Sequence, residues 1–248
     1  MNALRCLLRR GPLYLLILCS IGVDATAQVP IPAPPQSGPV ALIGGTIHTV
    51  TNGVIENGMI VLDAGRITAV GTDVQIPDGA TTVDVTGKHV YPGLIDAFSQ
   101  VGISEIGSVD MTVDANELGT FNPNARPNIA VNPESRHIGT SRTNGVLVTL
   151  TTPSGGLIPG LSSAMNLDGW TWEEMTLESA VALNVTWPRL TNDDEYEEVI
   201  RQLREHFAQA RSYGEAQFGG ELVASDSRYE SMLPAVSGEM PVVVAANS

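Results

Sequence analysis

Apolar and polar positions change period along this chain, and the change divides it. Residues 57–71 read as a hairpin. In the hairpin two apolar runs flank Asp63-Ala64-Gly65, with glycine where a positive φ is least costly. Residues 83–90 alternate apolar with polar, the pattern of one half-buried strand. The run at 145–151 is continuously apolar and suits a strand buried on both faces. Residues 180–185 and 241–246 predict two more strands. Helical spacing enters at 193–213, where Tyr196, Val199, Ile200, Leu203, Phe207 and Ala210 fall on one stripe. The acidic start Asp193-Asp194-Glu195 suits the positive end of the helix dipole, and Glu197 with Arg201 forms a favourable i,i+4 pair. His206 lies off the stripe and is expected in solvent. A second helix over 226–236 turns Tyr229, Met232, Leu233 and Val236 inward and stops before Gly238. Strands alternating with helices beyond residue 90 predict β/α units on a parallel sheet.

Two segments break this rhythm. Residues 104–136, rich in Asn, Pro and acidic groups, predict a long loop with little helix. Residues 152–160, Thr-Pro-Ser-Gly-Gly-Leu-Ile-Pro-Gly, predict a loop following the 145–151 strand. Its glycines would let backbone amides approach an anion, although glycine and proline mark ordinary turns more often.

The N-terminus has the layout of an export signal. Arg5, Arg9 and Arg10 precede an apolar stretch, and Ala25-Thr26-Ala27 places cleavage between Ala27 and Gln28, which predicts a periplasmic or secreted protein. The apolar stretch is short for a membrane span, which needs about 20 residues, so no stable anchor is expected after cleavage. Both cysteines, Cys6 and Cys19, fall inside the signal, leaving no thiol for disulfides, metal or nucleophilic chemistry. Residues 28–39 read as a Pro-rich extended linker. Without residues 1–27 the chain keeps 10 basic and 26 acidic residues, a formal net charge of −16. Such a surface repels phosphate backbones and excludes nucleic acid as a partner class.

The run Val90-Tyr91-Pro92-Gly93-Leu94-Ile95-Asp96-Ala97-Phe98-Ser99-Gln100 resembles the start of the catalytic barrel in the amidohydrolase superfamily, and residues 41–50 before the hairpin look like that family's opening strand. The imidazolonepropionase-like and dihydroorotase-like branches are the nearest in pattern. The resemblance covers most of the chain after residue 40 and is strongest between 41 and 100. It implies an α/β protein in which residues 40–90 contribute to a small β-sandwich. Residues 91–248 would then supply about the first four strands of a metal-dependent-hydrolase (β/α)8 barrel. A complete barrel takes about 250 residues by itself, so the chain looks like the N-terminal portion of a longer protein. A partial barrel leaves an open sheet edge, which a second chain or self-association would complete. The implied activity is hydrolysis of non-peptide carbon–nitrogen bonds in amides or cyclic amides. In active relatives zinc or another divalent metal activates the water.

Against that resemblance, the chemistry at the first barrel strand is altered. The family pattern ends this strand in His-x-His, two imidazoles on a divalent metal, where this chain has Phe98-Ser99-Gln100. A phenyl ring has no lone pair to give, and an amide oxygen replaces imidazole poorly toward zinc. No His-x-His or His-Glu-x-x-His pattern joins His48, His89, His137 and His206, and Lys88 is the only lysine. No cofactor is therefore expected for this chain. Gln100 and Asn184, both near strand ends, are the candidate substrate contacts. Glu105, Asp110, Asp114 and Glu117 suit a solvated loop, and Ser154, Ser162 and Ser163 lack a nucleophile elbow. Trp170-Thr171-Trp172 is expected to anchor a helix start. Two functions remain: a carbon–nitrogen hydrolase acting on a small molecule, or a non-catalytic binding module on the same fold.

Overall fold

The computed structural model describes residues 31–189 and 193–246. The export signal, the Ala27–Gln28 cleavage position and the first residues of the linker lie outside the described residues. Among the described residues no helix is long and apolar enough to cross a membrane.

One sheet is built from β1 (Val40–His48), β2 (Val54–Asp63), β3 (Arg66–Gly71), β4 (Thr81–Asp84) and β5 (His89–Val90). Its order is β3-β2-β1-β4, with β5 also on β1. The first three strands pair antiparallel, while β4 and β5 run parallel to β1. The β2–β3 turn forms as the sequence implies, with Ala64 and Gly65 both left-handed (φ 48° and 72°). The single strand expected over 83–90 is instead two short ones. The amide of Thr86 donates to the Asp84 carboxylate (2.9 Å) and Gly87 adopts φ 73°, so a turn splits the alternating run.

The second sheet is a curled half-barrel in the order β10-β9-β8-β7-β6. It comprises β6 (Leu94–Ser99), β7 (Val146–Thr151), β8 (Gly160–Asn166), β9 (Thr176–Trp187) and β10 (Val242–Ala246). The four strands expected from the sequence, β6, β7, β9 and β10, share one direction. Between β7 and β9 lies β8, antiparallel to both. Nothing in the hydrophobic pattern announces β8, because Leu-Ser-Ser-Ala lacks β-branched residues. Its hydroxyls are nevertheless buried, with Ser162 and Ser163 at 2% and 0% exposure, and that requires polar partners on the strands beside it.

Among the described residues four α-helices accompany this sheet: α1 (Arg136–Thr143), α2 (Trp172–Met175), α3 (Asp193–Phe218) and α4 (Ser227–Ser237). Ser135, Thr171 and Asp226 cap α1, α2 and α4 through their side-chain oxygens, and Gly238 ends α4 in the left-handed conformation. One apolar core joins Leu161, Leu183 and Val185 of the sheet to Ile200 and Leu203 of α3 and Met232 of α4. A second gathers Ile138 of α1, Met165 of β8 and Met175 of α2, with Trp172 packed against it as the helix-anchoring expectation requires. The 104–136 segment is largely loop, with short 3-10 turns at Asp110–Thr112 and Pro127–Ala130.

His206 is not in solvent but 8% exposed. It stacks on Phe121 (ring centroids 4.3 Å apart) and tilts against Tyr229 (5.3 Å). The apolar stripe of α3 describes a single packing surface. Phe121 from the long loop and Tyr229 from α4 widen that surface to include the position three residues beyond Leu203.

Candidate functional site

In barrel proteins chemistry collects at the C-terminal ends of the parallel strands, and there this chain places a row of buried polar groups. The backbone amide of Thr152, just past β7, donates to the Ser99 carbonyl at the end of β6 (2.8 Å). The hydroxyl of Thr152 meets that of Ser162 on β8 at 2.8 Å. Ser162 donates on to Asn184 Oδ1 on β9 (3.1 Å), and Asn184 Nδ2 donates to the Gly160 carbonyl (3.0 Å). Asn184 is 3% exposed, and these two bonds direct its amide into the sheet. The sequence gives Thr152 as the start of a loop and Ser162 as a serine without a nucleophile elbow, and it does not bring the two together. Their signal was the density of hydroxyl residues inside otherwise apolar strand sequence, since buried hydroxyls must find partners.

Gln100 lies one residue beyond the end of β6 and is half-buried. Its amide donates to Ser154 Oγ at 3.0 Å. The Asn116 side chain approaches the same hydroxyl at 2.5 Å, oriented so that its NH2 also reaches the Ser154 carbonyl (2.9 Å). Gln100, Ser154 and Asn116 thus come together from three segments, while Asn184 belongs to the separate Thr152–Ser162 row. Phe98 is 52% exposed.

Around this edge the two irregular segments are laced together. Thr120 O accepts from Leu157 N (2.7 Å) and Ile158 N (3.1 Å), and Asn122 N donates to Ile158 O (2.8 Å). The amides of the glycine-rich loop that make these bonds face protein carbonyls. The carboxylates of the 104–136 segment spread along it. Asp114 and Glu117 line a cavity of about 220 Å³ with Arg126 and Pro153. Glu105 buries Oε1 without a hydrogen-bond partner, and its carbonyl meets His137 Nε2 at 3.0 Å.

The fit of a divalent metal at the first strand can be judged from the donors present. Phe98 has none, and Gln100, whose NH2 donates to Ser154, offers only a neutral amide oxygen, a poor replacement for imidazole toward zinc. Among the described residues no three His, Cys, Asp or Glu side chains are grouped so as to hold a metal. The residues at the first strand do not fit the metal centre that the fold family implies.

No protein-family profile matches the chain. An amidohydrolase from Thermotoga maritima is similar in structure: its match covers 83% of this chain and 57% of that one, with a TM-score of 0.73 and 21% sequence identity. The fold is a partial amidohydrolase fold. The sheet of β1 to β5 holds the place of that fold's β-sandwich, and β6 to β10 hold part of its barrel. In sequence, an adenine deaminase from Shewanella halifaxensis is 31% identical over 101 residues, which are 41% of this chain and 17% of the deaminase. The chain therefore spans little more than half of the first and about a sixth of the second. A putative prolidase from Bifidobacterium longum is 35% identical over 27% of this chain and 18% of its own, and its TM-score of 0.25 carries no weight for the amidohydrolase fold.

Proposed function

We propose that this chain is the N-terminal part of an exported amidohydrolase-type protein in which the first-strand position binds ligand instead of activating a metal. On this reading residues 1–27 are the export signal, 28–39 the linker, 40–90 the sandwich segment and 91–248 the partial barrel. The protein is periplasmic or secreted, and its ligand is a small molecule carrying a non-peptide carbon–nitrogen bond of the amide or cyclic amide type. The single observation that supports the reading is the environment of Gln100. A neutral amide held by Ser154, whose hydroxyl is itself held by Asn116, is suited to donate or accept hydrogen bonds with an amide ligand. Phe98 beside it, half exposed, offers an apolar face. Remaining barrel strands would come from a longer chain or a second copy.

A second reading, favoured by the stretch similar to adenine deaminase, is an active hydrolase that takes its metal ligands from later strands. Metal analysis of the full-length parent separates the two. Substoichiometric zinc, rising when Phe98→His and Gln100→His are introduced together, supports the ligand-binding reading. A full equivalent of tightly held zinc, lost in Gln100→Ala, returns the protein to the active hydrolases.

A further inference from the structure

The histidines of the first sheet hold a geometry that the barrel reading does not use. His48 closes β1 and His89 opens β5, which runs parallel to β1 with His89 opposite Thr46. Their rings face each other at the strand ends, with His48 Nε2 and His89 Nδ1 3.0 Å apart. Two neutral imidazoles meeting in this way share one N–H and one lone pair. The same separation is close to the distance between two nitrogens that sit side by side on one cation with bonds of about 2.0–2.1 Å.

We propose that His48 and His89 form a site for one borderline divalent transition-metal ion, of the copper(II) or nickel(II) kind, bound through two adjacent imidazole nitrogens with water in the remaining positions. Imidazole suits such ions, and two donors with open positions match tetragonal copper or nickel better than a closed four-ligand zinc site. The two rings are unequally held. His48 stacks on Tyr91 at 4.2 Å between centroids with planes 9° apart, which fixes its lone-pair direction. His89, tilted 39° to His48 and 6.3 Å from Tyr91, is exposed and free to turn its Nδ1 onto a shared ion. On binding, the ion takes the place of the shared proton, and whichever imidazole carried it moves that proton to its other ring nitrogen. No oxidant, reductant or net proton change is needed when both rings start neutral. The sheet supplies the rigidity, because β5 is held on β1 by Thr46 N donating to Lys88 O at 2.9 Å.

The test uses the full chain purified without a polyhistidine tag and copper(II) as the probe. The expected result is one equivalent bound, an electron paramagnetic resonance spectrum with hyperfine coupling from two nitrogens, and paramagnetic loss of the Tyr91 ring signals in NMR. Each of His48→Gln and His89→Gln should weaken binding at least tenfold, while His137→Gln leaves it unchanged. Unchanged affinity in either sheet variant, or copper lost in His137→Gln, overturns the site. Should a variant misfold, the Tyr91 signals of the unaltered protein decide: their persistence at one bound equivalent refutes the proposal.

Discussion

Asn184 shows how a polar residue near a strand end takes a place inside the sheet. Its amide accepts from Ser162 and donates to the Gly160 carbonyl while 3% exposed. Asn184→Leu would remove a buried partner from the Gly160 carbonyl and from the Ser162 hydroxyl, which keeps its bond to Thr152, a loss of about 1–3 kcal/mol, and urea unfolding should report it as a lowered midpoint. If Asn184 instead serves mainly as a ligand contact, the midpoint stays and only ligand affinity falls. His206 makes a different claim. Burial holds its pKa below the ordinary 6.5, the charge of Arg228 pushes the same way, and Asp226 opposes them more weakly. The folded protein therefore keeps this imidazole neutral with Nε2 unpartnered, whereas the unfolded chain takes up a proton near pH 6.5. Its contribution to stability is complete above about pH 6.5 and declines as the pH falls below that value. Urea midpoints at pH 7.5 and 5.5 should differ less in His206→Phe than in the unaltered protein. An equal difference in both would show that His206 does not titrate across folding.

At the scale of elements, the clasp between the two irregular segments depends on a close backbone approach. Gly156 adopts φ 67°, and a Cβ there would lie 2.7 Å from the Thr120 carbonyl oxygen and 2.8 Å from that of Gly119. Gly156→Ala should therefore destabilise the protein by about 1–3 kcal/mol and speed hydrogen exchange at the Leu157 and Ile158 amides. Gly107, with nothing within 4 Å of its would-be Cβ and no positive φ, serves as the control, and Gly107→Ala should leave both measures unchanged. Equal effects at the two glycines would mean that the clasp does not hold the loop.

For the whole molecule the decisive feature is the pair of sheet ends. Among the described residues β6 and β10 each pair on one side only. Leu94, Ile95 and Phe98 of β6 are 60%, 66% and 52% exposed, and Val242 and Val244 of β10 are exposed as well. Apolar edges of this kind recruit further strands. Sedimentation of the 248-residue chain should show association that grows with concentration and with salt, since salt screens the repulsion between chains of net charge −14. Val244→Lys should weaken that association. A monodisperse monomer across concentrations, melting cooperatively, would show that these edges are protected in solution.

Local chemistry in the sequence determined the β2–β3 hairpin through Ala64-Gly65, the capped ends of α4 through Asp226 and Gly238, and the parallel strands β7, β9 and β10 through their apolar runs. Each of these rests on interactions within a few residues or on burial that one segment's pattern records. The Pro-Gly-Leu-Ile-Asp run likewise pointed to the amidohydrolase fold and to its first barrel strand, where Phe98 and Gln100 stand in place of the two histidines of the family pattern. Tertiary structure decided the rest. Only the neighbours β7 and β9 make a strand of Leu161-Ser162-Ser163-Ala164, because its hydroxyls are satisfied across the sheet and not along the chain. Only Phe121 and Tyr229, 85 residues before and 23 after it in sequence, take His206 out of water. The polar row and the histidine pair are likewise contacts between distant segments. A hydrophobic period reports that a face is covered, but the partner that covers it, and the hydrogen bonds it brings, are set by the fold.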